Sequence, residues 1–325
     1  MSLRDQIKAN RTIKDNSLDT YMLALRKVYE AVEGEKIDEL ESNDFLKKYD
    51  DVMSYINNLP KLTSKKNKLT AVIVGLSTDK KDNSNLIDKY INDLSKFNEQ
   101  YLSEMTKQKK SATQEANWMD YEDVIKIQNK IKREIVHQQF LKNKELTNPE
   151  FDLLQQYVLL STYIEHPLRN DFADMQVIKH TAYKALDDDV KYENNYLVLG
   201  PKNIKKFHIN NYKNVRSLGS KVFNISPKLN RLINVWLKYN TSGFYLVKSD
   251  RVKPLNSNDL TKYFNRLFKK QANGQKISSS MMRHIIISHE LKDTPTLKQK
   301  EAKDKVTENK YLHSASMNQL YRKVD

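Results

Sequence analysis

The chain has 325 residues, enough for about two domains, and carries 56 Lys and Arg against 41 Asp and Glu for a net charge of +15. With no cysteine it has no disulfide, thiolate nucleophile or cysteine zinc site, and its seven scattered histidines form no His-x-x-x-His pair, so neither metal nor cofactor is expected. The basic excess favours a polyanionic partner, nucleic acid first, although lysine used only as a solubilising surface residue gives the same total.

Six glycines and seven prolines with 30% charged residues point to a mostly helical chain. No run reaches the roughly 20 apolar residues that a membrane span needs, and Met-Ser-Leu-Arg-Asp at the start has no apolar signal core, so a soluble intracellular protein is expected.

Four amphipathic segments fill the first hundred residues. Leu18, Tyr21, Met22, Leu25, Val28, Tyr29 and Val32 recur at steps of three and four, as one buried helical face requires. Phe45 to Ile56 repeats the pattern and stops at Leu59-Pro60; a third segment starts near Thr63-Ser64 and buries Leu69, Val72, Ile73 and Leu76; a fourth runs from Leu86 to Leu102. These read as a helical bundle over residues 1–103. Residues 104–117 are polar and aperiodic and read as a linker. Trp118 opens a second domain, 118–325, with Val124, Ile127, Ile131 and Ile135 on one helical face. After Asn148-Pro149, Phe151 to Glu165 is apolar on several sides, as a core helix would be. Three β-rich pieces, 196–199, 207–210 and 222–225, separated by Gly200-Pro201 and Leu218-Gly219, predict a small antiparallel sheet. Helices are expected again at 229–239, 257–270, 278–291 and from about Thr296 onward, so the fold class is mainly α with a small sheet, α+β.

Five side chains stand out for phosphoryl chemistry. Arg169 lies in Pro-Leu-Arg-Asn-Asp just after the apolar helix, with Asp171 and Asp174 at hand to orient a guanidinium; an arginine here also suits a helix C-terminus, where it complements the dipole. Lys213 ends the middle strand, where a hairpin tip can hold it over a groove, and Lys206, Arg216 and Lys221 compete with it. Arg283 is the lone charge in Ile277-Ser-Ser-Ser-Met-Met-Arg-His-Ile-Ile-Ile, where an arginine is costly unless paired or facing a site. Ser280 shares its helical face. His313 and Tyr321 close the series in Leu-His-Ser-Ala-Ser-Met-Asn-Gln-Leu-Tyr; Tyr311 is a competing phenol, and two surface residues on a terminal helix would look alike. Metal-free cleavage of a phosphodiester needs a nucleophile, cations on the non-bridging oxygens and an acid for the leaving oxygen, and these residue types supply them.

In order and layout, Arg169, Lys213, Arg283, His313 and Tyr321 resemble the active-site series of tyrosine recombinases, the phage-integrase superfamily. Leu-His-Ser followed by a tyrosine eight residues after the histidine is similar to that family's Gly-His-Ser box, and Pro-Leu-Arg-Asn-Asp-Phe with Trp118 resembles the divergent members of large DNA viruses and eukaryotic mobile elements. The resemblance implies a core-binding bundle, then a catalytic domain that cuts and rejoins double-stranded DNA through a 3′-phosphotyrosine, without metal or ATP, and assembles on DNA as dimer to tetramer. It implies Tyr321 as nucleophile, Arg169, Arg283 and His313 on the phosphate, and Lys213 as acid. Ser280 stands where the family commonly has a second histidine, Phe172 stands where it commonly has an acid, and the lysine-rich run 298–310 lengthens the spacing to His313. A type IB topoisomerase, which uses the same intermediate, and a catalytically weakened DNA-binding protein of recombinase descent are the alternatives.

Overall fold

The computed structural model describes residues 1–106, 109–272 and 274–292, with Lys310, Met317 and Leu320. The chain divides into two compact units, Met1–Lys107 and Gln108–Asp325. It is mainly helical with one small sheet.

In the first unit α1 (Leu3–Asn10) and α2 (Asp15–Glu33) precede a 3-10 turn at Asp44–Lys47, α3 (Tyr49–Asn57), α4 (Leu62–Leu76) and α5 (Ser84–Thr106). α2, α4 and α5 lie where the periodicity places them, whereas the helix expected from Phe45 is split, with Phe45 and Leu46 in the 3-10 turn and α3 starting at Tyr49. α1 is additional; Ser2 caps it by accepting from the Asp5 amide, and its only buried residues, Leu3 and Ile7, are too few to show a period. α4 is the centre, packing against α2, α3 and α5. Its Leu69, Ala71, Val72 and Leu76 are fully buried, and each such leucine contributes roughly 1.5 to 3 kcal/mol. Gly75 permits the closest approach: a Cβ there would lie 2.8 Å from Leu46 Cδ1.

The second unit begins with α6 (Ala112–Asn117), which lies inside the stretch read as linker. Ser111 and Gln114 form a reciprocal capping box that starts it. α7 (Tyr121–Gln138) leads to α8 (Asn148–Glu165), which opens on a Thr147–Glu150 capping box with Pro149 in its first turn. α8 ends just before His166-Pro167, where the proline disfavours helical backbone at His166. Leu154, Val158, Leu159, Leu160 and Tyr163 are fully buried, so α8 forms the axis of this core. The chain continues through β1 (Gln176–Lys179), α9 (His180–Ala185), α10 (Asp188–Glu193), β2 (Asn195–Leu199), β3 (Lys205–Ile209), α11 (Val215–Leu218), β4 (Lys221–Asn224), α12 (Pro227–Tyr239), α13 (Ser257–Gln271) and α14 (Ser279–Leu291).

The sheet has the order β1-β2-β3-β4. β2, β3 and β4 pair antiparallel, as expected, but β1 joins β2 in parallel, so the sheet is mixed. β1 escapes a sequence reading because its four residues are three part-buried and one exposed, with no alternation; α9 and α10 supply the crossover that a parallel pair requires. Leu197, Phe207 and Phe223 stand opposite one another on the inner face, and Phe207 packs edge-on against Phe172 and Tyr245 at 5.0 and 5.4 Å. The other face, at Tyr196 and His208, lies under Tyr183 of α9. No helix among the described residues is long and apolar enough to cross a membrane.

Candidate active site

The connection that leaves α8 carries Arg169, and its backbone is fixed from several directions. The Tyr163 hydroxyl on the last turn of α8 donates to the Arg169 carbonyl at 2.5 Å, and the Arg169 amide donates to Asp171 Oδ2 at 3.0 Å. Asn170 reaches outward to two helix starts. Its Nδ2 donates among Ser257 Oγ (2.8 Å), the Ser257 carbonyl (2.9 Å) and Thr261 Oγ1 (3.0 Å) at the start of α13, while its Oδ1 accepts from Ser279 Oγ (2.5 Å) at the start of α14.

Arg283, one turn into α14, is 1% exposed. Burial pushes the Asp171 carboxyl above its ordinary range, and the positive charges of Arg283 and then Arg169 oppose that rise. The two arginines therefore meet electrostatically at Asp171. Arg283 also acts on the buried Tyr163 phenol, which burial and the Asp171 charge push far up. Of the two acids near Arg169 in sequence, only Asp171 serves it. Asp174 turns away through a left-handed backbone (φ 53°), and its carboxyl feels Asp259 and Lys248 instead. Phe172, at the place where the resemblance leads one to look for an acid, is fully buried against Tyr163 and Phe207.

A pocket of about 350 Å³ opens between these parts, lined by Arg169, Asn170, Asp171, Ser257, Ser279 and Ser280. Ser280 is exposed there, whereas Ser279 is buried behind it. The first turns of α13 and α14, capped by Asn256 and Ser278, both border this pocket, so their positive dipole ends add to the guanidinium charge. The arrangement suits a tetrahedral anion.

Lys213 does not end β3, which stops at Ile209; it lies exposed in the connection to β4, just before α11. That end of the sheet abuts Asp171. Asn195 Nδ2 donates to the carbonyls of Asp171 and Asn211, both at 2.9 Å, and Asn195 Oδ1 accepts from the amides of Asn210 and Asn211 at 2.9 and 2.8 Å. Tyr212 packs beside them, its phenol pushed up to about 12 by burial and the Asp171 charge. Among the competing cations, Lys221 starts β4 opposite Ile209 at the same end, Arg216 is exposed on α11, and Lys206 projects from mid-β3.

His313, Tyr321 and the competing Tyr311 lie outside the described residues. Lys310, three residues before His313, bonds to Glu290 on the last turn of α14 at 2.6 Å. The residues that sequence reasoning missed are Tyr163, Asn170, Asn195, Ser257 and Ser279. Asn256 and Ser278 cap the two helix starts with their side chains, and nothing in the sequence tells that these starts converge.

No family model matches this chain, and no curated protein does. Among solved structures, the crystal structure of XerA recombinase matches 99% of this chain and 93% of its own, at 11% identity and a TM-score of 0.40. A likeness at that level carries no functional statement, so the chemistry has to come from the residues.

Proposed function

We propose that the chain is a DNA integrase or site-specific recombinase that cuts and rejoins duplex DNA through a 3′-phosphotyrosine. The observation that carries the reading is the pocket in which Arg169, two helix starts and three serines converge, with Arg283 buried behind it against Asp171. Such a pocket offers preorganised donors to a phosphate whose charge grows in the transition state. The order of Arg169, Lys213, Arg283, His313 and Tyr321 in the sequence supplies the other parts.

In this scheme the Tyr321 oxygen bonds phosphorus while the P–O5′ bond breaks. Lys213 gives a proton to the departing 5′-oxygen, and the phenolic proton leaves to solvent. Arg169, Arg283 and His313 hold the non-bridging oxygens. One phosphodiester replaces another, so no ATP is needed. Residues 1–103 are assigned to grip the duplex as a core-binding bundle, with assembly of two to four copies on DNA.

The test uses the full chain and a pool of nicked duplexes with a randomised segment, in which loss of the fragment beyond the nick traps any covalent adduct. Wild-type protein should yield an adduct whose peptide map ends on Tyr321, linked to a 3′-phosphate, and Tyr321→Phe should bind DNA but yield none. A 3′-linked adduct that persists in Tyr321→Phe overturns the assignment. Joining of two duplexes, as opposed to relaxation of supercoils alone, separates recombinase from topoisomerase.

A further inference from the structure

We infer that Asn170 is a positioning residue that sets the Arg169 turn against the start of α14, and so sets the two guanidiniums against one phosphate; this rests on the strand-transfer reading. Asn170 touches neither reacting atom in that scheme. Asn170 ties the turn to both helices opening on the pocket, with its amide nitrogen engaged by Ser257 and Thr261 of α13 and its amide oxygen by Ser279 of α14.

The chemistry of the position is specific. An amide carries two N–H donors and an acceptor on one carbon, and here the donors face α13 and the acceptor faces α14. Aspartate has the length but no donor for the Ser257 carbonyl. Serine has one donor and is too short to bridge both sides, and glutamine adds a methylene to a close fit. Arg169 is already held at its carbonyl by Tyr163 and at its amide by Asp171, which both follow the turn itself. Its distance from α14 is a separate coordinate. The Ser279 to Asn170 hydrogen bond fixes that coordinate one helical turn from Arg283.

Without this latch the turn and α14 shift relative to one another. A displacement of about 1 Å at a reacting centre costs up to about 100-fold in rate. DNA affinity is spread over many phosphate contacts and should change little.

The experiment measures single-turnover adduct formation by the full chain on the nicked duplex selected above, over a range of DNA concentrations. Asn170→Ala and Asn170→Asp should each lower the saturating rate by about 10- to 100-fold, with half-saturation near wild type. Ser279→Ala removes one oxygen from a helix start and keeps the fold; it should lower the rate by up to about 10-fold, the value of one hydrogen bond. The Asn170→Ala/Ser279→Ala double variant should be no slower than Asn170→Ala alone, because both break the same link. Additive losses, a wild-type rate in Ser279→Ala, or a loss of DNA affinity matching the loss of rate would each overturn the inference. Failure of the wild-type chain to form an adduct would instead remove the strand-transfer reading itself.

Discussion

In the proposed strand-transfer scheme Arg169 and Arg283 act on one phosphate, yet they carry different amounts of the fold. Arg169 is part-buried at the mouth of the pocket, and its backbone position is set by Tyr163 and Asp171, so truncating its side chain leaves the turn in place. Arg169→Ala should therefore slow adduct formation by about 100- to 1000-fold, the cost of one preorganised charge donor, with little change in unfolding free energy. Arg283 is buried against Asp171, and Arg283→Ala leaves that carboxyl without one of its cations and opens a cavity. It should abolish the adduct and cost about 3 to 5 kcal/mol of stability as well. Denaturant unfolding of both variants checks the contrast; equal stability losses would refute it. Arg283 was legible because a lone charge in an apolar helix needs a reason to be there. Asp171 was not separable from Asp174, since the choice depends on the left-handed backbone at Asp174, which no residue pattern announces. Asn170 and Asn195 were invisible for a similar reason: each acts through contacts made far along the chain.

At the scale of elements, length decided what could be read. α2, α4, α5, α7 and α8 each repeat their apolar face several times, whereas α1, α6, α9, α10 and β1 are too short to establish a period. The sheet was legible as the β2-β3-β4 meander, and its fourth strand was missed together with its parallel pairing. The sheet also makes the fold sensitive to acid. His208 on β3 lies under Tyr183, its ring centroid 4.5 Å away, and burial, then Lys206 and His180, lower its pKa from 6.5 to about 4. A depressed histidine contributes stability that is complete above pH 6.5 and is lost as pH falls through about 4. The loss should be no more than about 3 kcal/mol, because the ring is only part-buried. His208→Gln should flatten the stability profile over that range. Urea unfolding of both proteins at pH 7 and pH 4.5 measures the difference, and an unchanged acid limb in the variant would assign the loss to other groups.

Across the whole molecule the charge is divided unevenly. Residues 1–107 contain 18 Lys and Arg and 18 Asp and Glu, whereas 108–325 contain 38 and 23, so the second unit holds the entire excess of +15. Within it, residues 194–249 contain no acid at all. In the first unit several lysines are neutralised by neighbours: Lys8 by Asp15, Lys47 by Asp44 and Lys96 by Asp93, at 2.7 to 3.0 Å. A paired lysine gains less from a phosphate, because it must give up its carboxylate. If DNA is the polyanion, its counterion release should be driven mainly from the acid-free stretch. Each phosphate contact removed lowers the slope of log affinity against log salt by about 0.9. Replacing Lys206, Arg216 and Lys228 together by alanine should therefore reduce that slope by about 2 to 3, whereas replacing Lys8, Lys47 and Lys96 should leave it nearly unchanged. Fluorescence anisotropy of the full chain on one duplex over a salt series reads both slopes. Equal reductions in the two triple variants would mean that the neutral first unit grips the backbone as strongly as the second, and that net charge does not mark the DNA path.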